Sequence, residues 1–225
     1  RSVSRGLGDV YKRQHIYMKK IKMESQNKYL GDDKFKKFLE HYSCPTPLEI
    51  IKLRFAGSIC SPNLELRPTD VISSFWEPGK SPRLETKDEA DLFFKFFMGL
   101  WDEMFQQVKA NKVHLSPAGN LLSSKEGIAK LCAVRFAEVE PGFVEGFWGG
   151  KEDLKLPSYL AQLIDSLTEM SGVYNTLAKK LDKAENITEI SKHLAYTDTM
   201  VEKTIAFIIE NSVLPRIESL QRVVH

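Results

Sequence analysis

Between Lys87 and Ala110 the chain carries no proline and presents apolar side chains on nearly every side of a helix. Phe93, Phe97, Leu100, Met104 and Val108 recur at helical spacing, and Leu92, Phe94, Phe96, Trp101 and Phe105 widen the stripe. Such a helix needs neighbours on several faces, so it predicts a central element of a helical core. About ten large side chains at 1.5–3 kcal/mol each would make it the main stabilising element. It is no membrane span: the densest run, Leu92–Trp101, is broken by Lys95 and falls short of the roughly 20 apolar residues a bilayer demands.

The rest of the chain repeats the helical period with clear punctuation. Thr86-x-x-Glu89 reads as a capping box at the start of that helix, and Ser123-x-x-Glu126 as a second one further on. Gly31–Tyr42 forms a short amphipathic helix with Phe35, Phe38 and Leu39 on one face. Thr46 can cap the next helix with Pro47 at its first position, through Ile50, Ile51, Leu53, Phe55 and Ile59 to a stop at Ser61–Pro62. Gly57 inside it costs about 1 kcal/mol against Ala, so it is expected where another backbone comes close.

Pro68–Trp76 starts another short helix. Pro141–Gly142 is expected to interrupt the one that carries Ile128, Leu131, Cys132 and Val139. After the turn Phe143–Trp148 and Gly149–Gly150, Pro157 begins a helix through Leu160, Leu163, Ile164, Leu167 and Met170, which Gly172 divides from Tyr174, Leu177 and Leu181. Ile187–Leu220 supplies one or two more, with Ile205, Ile208 and Ile209 as core and Pro215 as kink or stop. No alternating strand pattern is present. The expectation is an all-α, irregular bundle of about seven to nine helices around Lys87–Ala110. Residues 33–185 form its core domain, and 186–225 pack on the same domain.

The first residues call for separate treatment. Ser4–Gln14, SRGLGDVYKRQ, resembles the in-frame translation of a transposon-tagging sequencing adaptor, so residues 1–17 are set aside as a non-native extension. A natural start is Met18 or Met23, since MKKIKMES reads like an ordinary bacterial beginning, with residues 18–32 a flexible lead. Taking the four basic residues and one acid of 1–17 from the 32 and 30 of the full chain leaves 28 and 29, a net charge of −1. The full chain's +2 is therefore no argument for nucleic-acid binding. Three separated cysteines and no secretory signal fit free thiols in a reducing compartment, and the cytoplasm is the expected location.

Chemistry-bearing patterns are sparse. Cys44, Cys60 and Cys132 stand apart, and the histidines form no pair at ligand spacing; His41 and Cys44, one turn apart, are the nearest to one. Cys60 ends a helix, where the dipole disfavours a thiolate. No phosphate loop or nucleophile elbow is present, and no motif calls for a cofactor or metal. Asp88, Glu89 and Asp91 suit the positive end of a helix. Lys179, Lys180 and Lys183 interleave with Asp182 and Glu185 as a solvated face.

What stands out instead are aromatics beside chain breaks: Trp76 before Pro78, and the segment FVEGFWGG. Phe55, Gly57, Trp76, Phe143, Gly146, Phe147 and Trp148 are therefore the candidate partner-binding residues of a non-enzymatic protein-binding or regulatory module. The alternative is a small-molecule hydrolase or transferase using acids scattered over the helices. Neither reading involves nucleic acid or membrane.

The same segments resemble the YecA/YgfB-like family of uncharacterised bacterial proteins. Phe55–Pro62 (FAGSICSP) is similar to that family's Gly-Phe-Leu-x-Ala-like helix end, and Pro68–Trp76 (PTDVISSFW) to its Pro-Ser-Glu-Trp-Leu. Lys87–Ala110 matches its long apolar helix, and Phe143–Gly150 its aromatic-x-x-Gly-Phe-x-x-Gly stretch. The likeness spans roughly Lys34–Leu181. Phe55-Ala56-Gly57 departs from the family's His-Gly-Phe, Val71 replaces its Trp, and the zinc-binding Cys-rich tail of some members is missing. The resemblance implies an all-α fold, with no metal and no catalytic residues to transfer.

Overall fold

The computed structural model describes residues 28–63, 65–151, 154–181 and 186–222. The adaptor-like stretch, both candidate start methionines and most of the flexible lead lie outside these residues. So do Asp182, Lys183 and Glu185 of the charged face. Among the described residues the fold is all-α with no strand. The helices are α1 (Asp32–His41), α2 (Leu48–Cys60), α3 (Pro68–Ser73), α4 (Lys87–Lys109), α5 (Lys125–Ala137), α6 (Glu145–Trp148), α7 (Ser158–Leu181), α8 (Thr188–Ile208) and α9 (Leu214–Arg222). A π-helical turn, Glu138–Val144, joins α5 to α6, and another, Ile209–Val213, joins α8 to α9.

The helix at the centre is α2 and not α4. Nine of the thirteen α2 residues are buried, including the consecutive run Phe55–Cys60. In α4, eight of 23 are buried, while Leu92 and Phe94 are 47% and 42% exposed. The reason is geometric. Phe55 and Gly57 point to opposite sides of α2, and each side has its own cover. On the Phe55 side lie α1, α3 and α4, joined by an aromatic cluster whose hub is Phe97 of α4. Its ring meets Phe35 edge-on at 5.2 Å and stacks on Phe75 at 5.8 Å. On the Gly57 side runs the α5–α6 rod, and α7 packs against that rod from outside with α8 beside it.

Local chemistry set several boundaries as expected and moved others. Thr86 Oγ1 accepts the Glu89 amide at 3.1 Å, the predicted cap of α4. Thr46 does not cap α2: its hydroxyl donates to the Phe75 carbonyl at 2.9 Å, tying the loop to α3. At α5 the cap is Ser124, which accepts from Gly127 at 3.0 Å, one residue past the expected Ser123.

Neither Pro141 nor Pro215 ends a helix. Proline has no N–H to donate, and in an α-helix its ring strikes the carbonyl four residues back. The wider π turn relieves both problems, so the rod runs on to Trp148 and stops only at Gly149 (φ 57°), whose amide bonds to Glu145 at 2.9 Å. Nor does Gly172 divide α7, which continues through it. The last helix returns to the first layer: Arg216 donates to the carbonyls of Ser61 (2.8 Å) and Ile59 (3.0 Å), groups that the end of α2 leaves open.

Candidate functional site

Six of the seven residues put forward as partner anchors lie inside the protein. Trp76 belongs to the aromatic cluster, 5.8 Å from Phe93, with its indole N–H donating to the Tyr42 carbonyl at 3.4 Å. Phe55 stands edge-on to Trp101 at 5.2 Å. Phe143 and Phe147 are completely buried, and Gly57 and Gly146 are buried beside them. Only Trp148 reaches solvent, half-buried and edge-on to Phe147 at 5.8 Å. Side chains without accessible surface offer nothing to a partner, so the aromatic segments build the interior rather than an interface.

What FVEGFWGG does is bring two backbones together. A Cβ built on Gly57 would lie 2.9 Å from both the Phe143 carbonyl carbon and the Phe147 nitrogen, and deep inside the Phe143 oxygen. One built on Gly146 would meet the Arg54 backbone at 2.9 Å, and one on Gly142 the Leu53 Cβ at 3.1 Å. The close approach is fastened by side chains of α2. Ser58 Oγ donates to the Gly146 carbonyl at 3.1 Å. Arg54 donates to the Pro141 carbonyl through Nε (2.7 Å) and Nη2, and Nη2 also reaches Glu145 at 3.1 Å. The spacing Gly142-x-x-x-Gly146 opposite Gly57 was the sequence signal for this contact.

A buried ionic network lies on the far side of the rod. Arg135 (2% exposed) and Glu138 (0%) are one turn apart and bond at 2.6 Å. Arg135 also reaches Asp198 of α8 at 2.9 Å and the Ser116 carbonyl at 2.7 Å. Asp198 accepts the Tyr174 hydroxyl at 2.8 Å, so this one guanidinium links α5, α7, α8 and the loop after α4. Burial alone would push the Arg135 guanidinium down, but Glu138 and Asp198 outweigh it and hold it above its usual value. Burial and then Asp198 push the Tyr174 phenol up.

The loop is strapped on by carboxylates. Glu138 accepts the Ser116 amide at 2.8 Å and Glu202 the Leu115 amide at 3.0 Å, while His114 Nδ1 lies 3.3 Å from Glu202.

That strap forms one wall of a cleft of about 830 Å³ between α1, α2, α4 and α5. Leu53, Met104 and Leu131 give it an apolar floor. Its polar edge is a lattice of paired charges, Lys52–Asp32 at 2.6 Å and Lys36–Glu49 at 2.7 Å.

A second concavity, about 650 Å³, runs along the seam between α7 and α8. Leu177 lies at its floor, Met170 and Met200 are half-buried, and Val173 and Tyr196 stand 40% and 65% exposed at the rim.

Catalytic arrangements are hard to build from these parts. Burial pushes the Cys60 thiol up to about 12 and the Cys132 thiol up to about 11, the opposite of nucleophile activation. Cys44 Sγ is turned to the carbonyls of Thr46 and Phe75, at 3.7 and 3.8 Å. Among the described residues no three of His, Cys, Asp and Glu converge as metal ligands, and no helix is long and apolar enough to cross a membrane. No protein-family model matches the chain, and no curated protein or solved structure is a match to it.

Proposed function

We propose that the protein is a non-catalytic protein-binding module, and that its partner lays an amphipathic helix into the seam between α7 and α8. The observation that carries this reading is the exposure of Tyr196 and Val173 beside Met170 and Met200 along a groove with an apolar floor. Two antiparallel helices leave a furrow that a third helix fills with side chains at i, i+3, i+4 and i+7. Methionines adapt to such a guest, and an exposed tyrosine is a common energetic anchor. Charge at the ends sets a direction. Glu169 and Lys180 line the groove eleven residues apart on α7, about 16 Å along the helix axis. The fitting guest is therefore about three turns long, basic near Glu169 and acidic near Lys180.

The resemblance to the YecA/YgfB-like family belongs with this proposal, since it brings no catalytic residue. A hydrolase or transferase has less in its favour: Asp32, Glu49 and Glu138 of the cleft are each bonded to Lys or Arg.

Capture from a lysate with wild type and Tyr196→Asp tests the proposal, followed by hydrogen exchange of the purified complex. Support is a stoichiometric protein lost with Tyr196→Asp, retained with Trp148→Ala, and protecting residues 170–177 and 193–200. Protection elsewhere, or a partner indifferent to Tyr196→Asp, refutes it, as does no partner from folded bait.

A further inference from the structure

The seam between α7 and α8 carries a charge pattern that its own helix answers when reversed. Glu169 and Lys180 line it on α7, and a spacing of about three turns keeps both on one face. Each is exposed, and neither forms a salt bridge among the described residues. A second α7 laid antiparallel on the first brings its Lys180 to Glu169 and its Glu169 to Lys180, so one two-fold axis satisfies both charges.

The rest of the seam obeys the same axis. Its midpoint on α7 falls between Tyr174 and Asn175, and Tyr174 bonds to Asp198 of α8 at 2.8 Å, which fixes the level on the other helix. Tyr196 and Met200 flank Asp198 evenly, so the axis sets Tyr196 of each copy beside Met200 of the other. His193 lies toward the Lys180 end and offers a further hydrogen-bond partner to the incoming Glu169. Met170, Val173 and Leu177 follow one another by three and four residues, the spacing at which the helices of a four-helix bundle present their core. Two helix pairs meeting face to face form such a bundle.

We infer that the seam pairs with the seam of a second copy of this chain, which occupies it until a guest helix takes its place. The inference rests on the proposed reading of the seam as a helix-binding surface. The paired helices overlap by about 20–30 Å over a width of about 20 Å, about 500 Å² per copy. That is the low end for a specific interface, so the dimer is weak and a guest can displace it.

Analytical ultracentrifugation of the full chain from about 5 to 500 µM tests this, with a reversible dimer of Kd on the order of 10–100 µM expected. Glu169→Lys and Lys180→Glu each raise that Kd about tenfold or more. Both positions are exposed, so each variant keeps the fold, checked by circular dichroism. Mixed in equal amounts, the two variants set lysines of one chain against glutamates of the other at both contacts, and the dimer returns at about the wild-type Kd. A merely structural effect of either substitution gives no such rescue. A wild type monomeric throughout, a dimer indifferent to both reversals, or a mixture that stays monomeric overturns the pairing. A monomer that still captures a foreign protein at residues 170–177 and 193–200 sinks the pairing and keeps the guest. A charge-dependent dimer that captures none sinks the guest and keeps the pairing.

Discussion

Gly57→Ala adds one methyl group at the tightest contact between α2 and the α5–α6 rod. On helix propensity alone the change is favourable by about 1 kcal/mol. The new carbon, however, would sit 2.9 Å from Phe143 C and Phe147 N, against atoms of a helix backbone that have no rotamer to change. Restoring ordinary contact requires the rods to part by roughly 1 Å. That movement stretches the Ser58–Gly146 bond (3.1 Å) and the Arg54–Pro141 bond (2.7 Å) together. Overpacking costs about 1–3 kcal/mol. Weakening one neutral and one charge-assisted hydrogen bond adds about 2–3 kcal/mol. Set against the propensity gain, the net loss is about 2–5 kcal/mol, a substantial share of the roughly 5–15 kcal/mol that holds a domain folded.

For a chain of this size that corresponds to a fall of about 4–20 °C in Tm. Thermal and urea unfolding followed by far-ultraviolet circular dichroism measure it, with unchanged urea m-value as the sign that only stability moved. A Tm within 2 °C of wild type, or above it, would refute the close-approach argument.

Gly172→Ala is the converse: a Cβ there meets nothing within 4 Å, so the same melts should show a gain of about 0.5–1 kcal/mol. Arg135→Met strands the fully buried Glu138 and should cost about 3–5 kcal/mol, whereas Arg135→Met with Glu138→Leu recovers most of that loss; urea titration of both variants decides. Partial burial pushes the Asp32 and Glu49 carboxyls up, but Lys52 with Tyr29 and Lys36 outweigh it, so both sit below their ordinary 3.8 and 4.5. Their contribution is present above those values and lost as pH falls through the lowered ones; Lys52→Met should therefore flatten the acid limb of a stability–pH profile. Thiol counting with an aromatic disulfide reagent at pH 8 should find Cys44 slow but accessible, and Cys60 and Cys132 silent until the protein unfolds.

Features governed by neighbours in the chain could be read from the sequence. The cap at Thr86 needs only Glu89, three residues on, and it stands where expected. The amphipathic α1 and the apolar half of α4 follow from spacing alone. Proline was misread because its tolerance depends on the width of the turn it sits in: inside a π turn the missing N–H of Pro141 and the clash of its ring with the carbonyl four residues back are both relieved, and no local rule specifies that turn.

Centrality was misassigned for a related reason. Apolar content favours α4, but occlusion on both sides belongs to α2, whose glycine and serine let a second backbone in. Arg135 and Glu138 have the spacing of an exposed surface pair, and nothing short of the packing of α7 and α8 reveals them as buried. The groove was invisible for the same cause: Val173 and Tyr196 become neighbours only when two helices meet.

Arg216 gives the fold a temporal property. The carbonyls of Ile59 and Ser61 receive their donor from a residue 157 and 155 positions later. At a synthesis rate of about 5–20 residues per second, that donor is made about 8–30 s after the groups it serves. Throughout that interval the buried end of α2, Cys60 included, has the partners supplied by earlier elements but lacks its last fastening. Helix α9 thus acts on α2 as a late latch, closing on the end of that helix only after the helices between the two have been made.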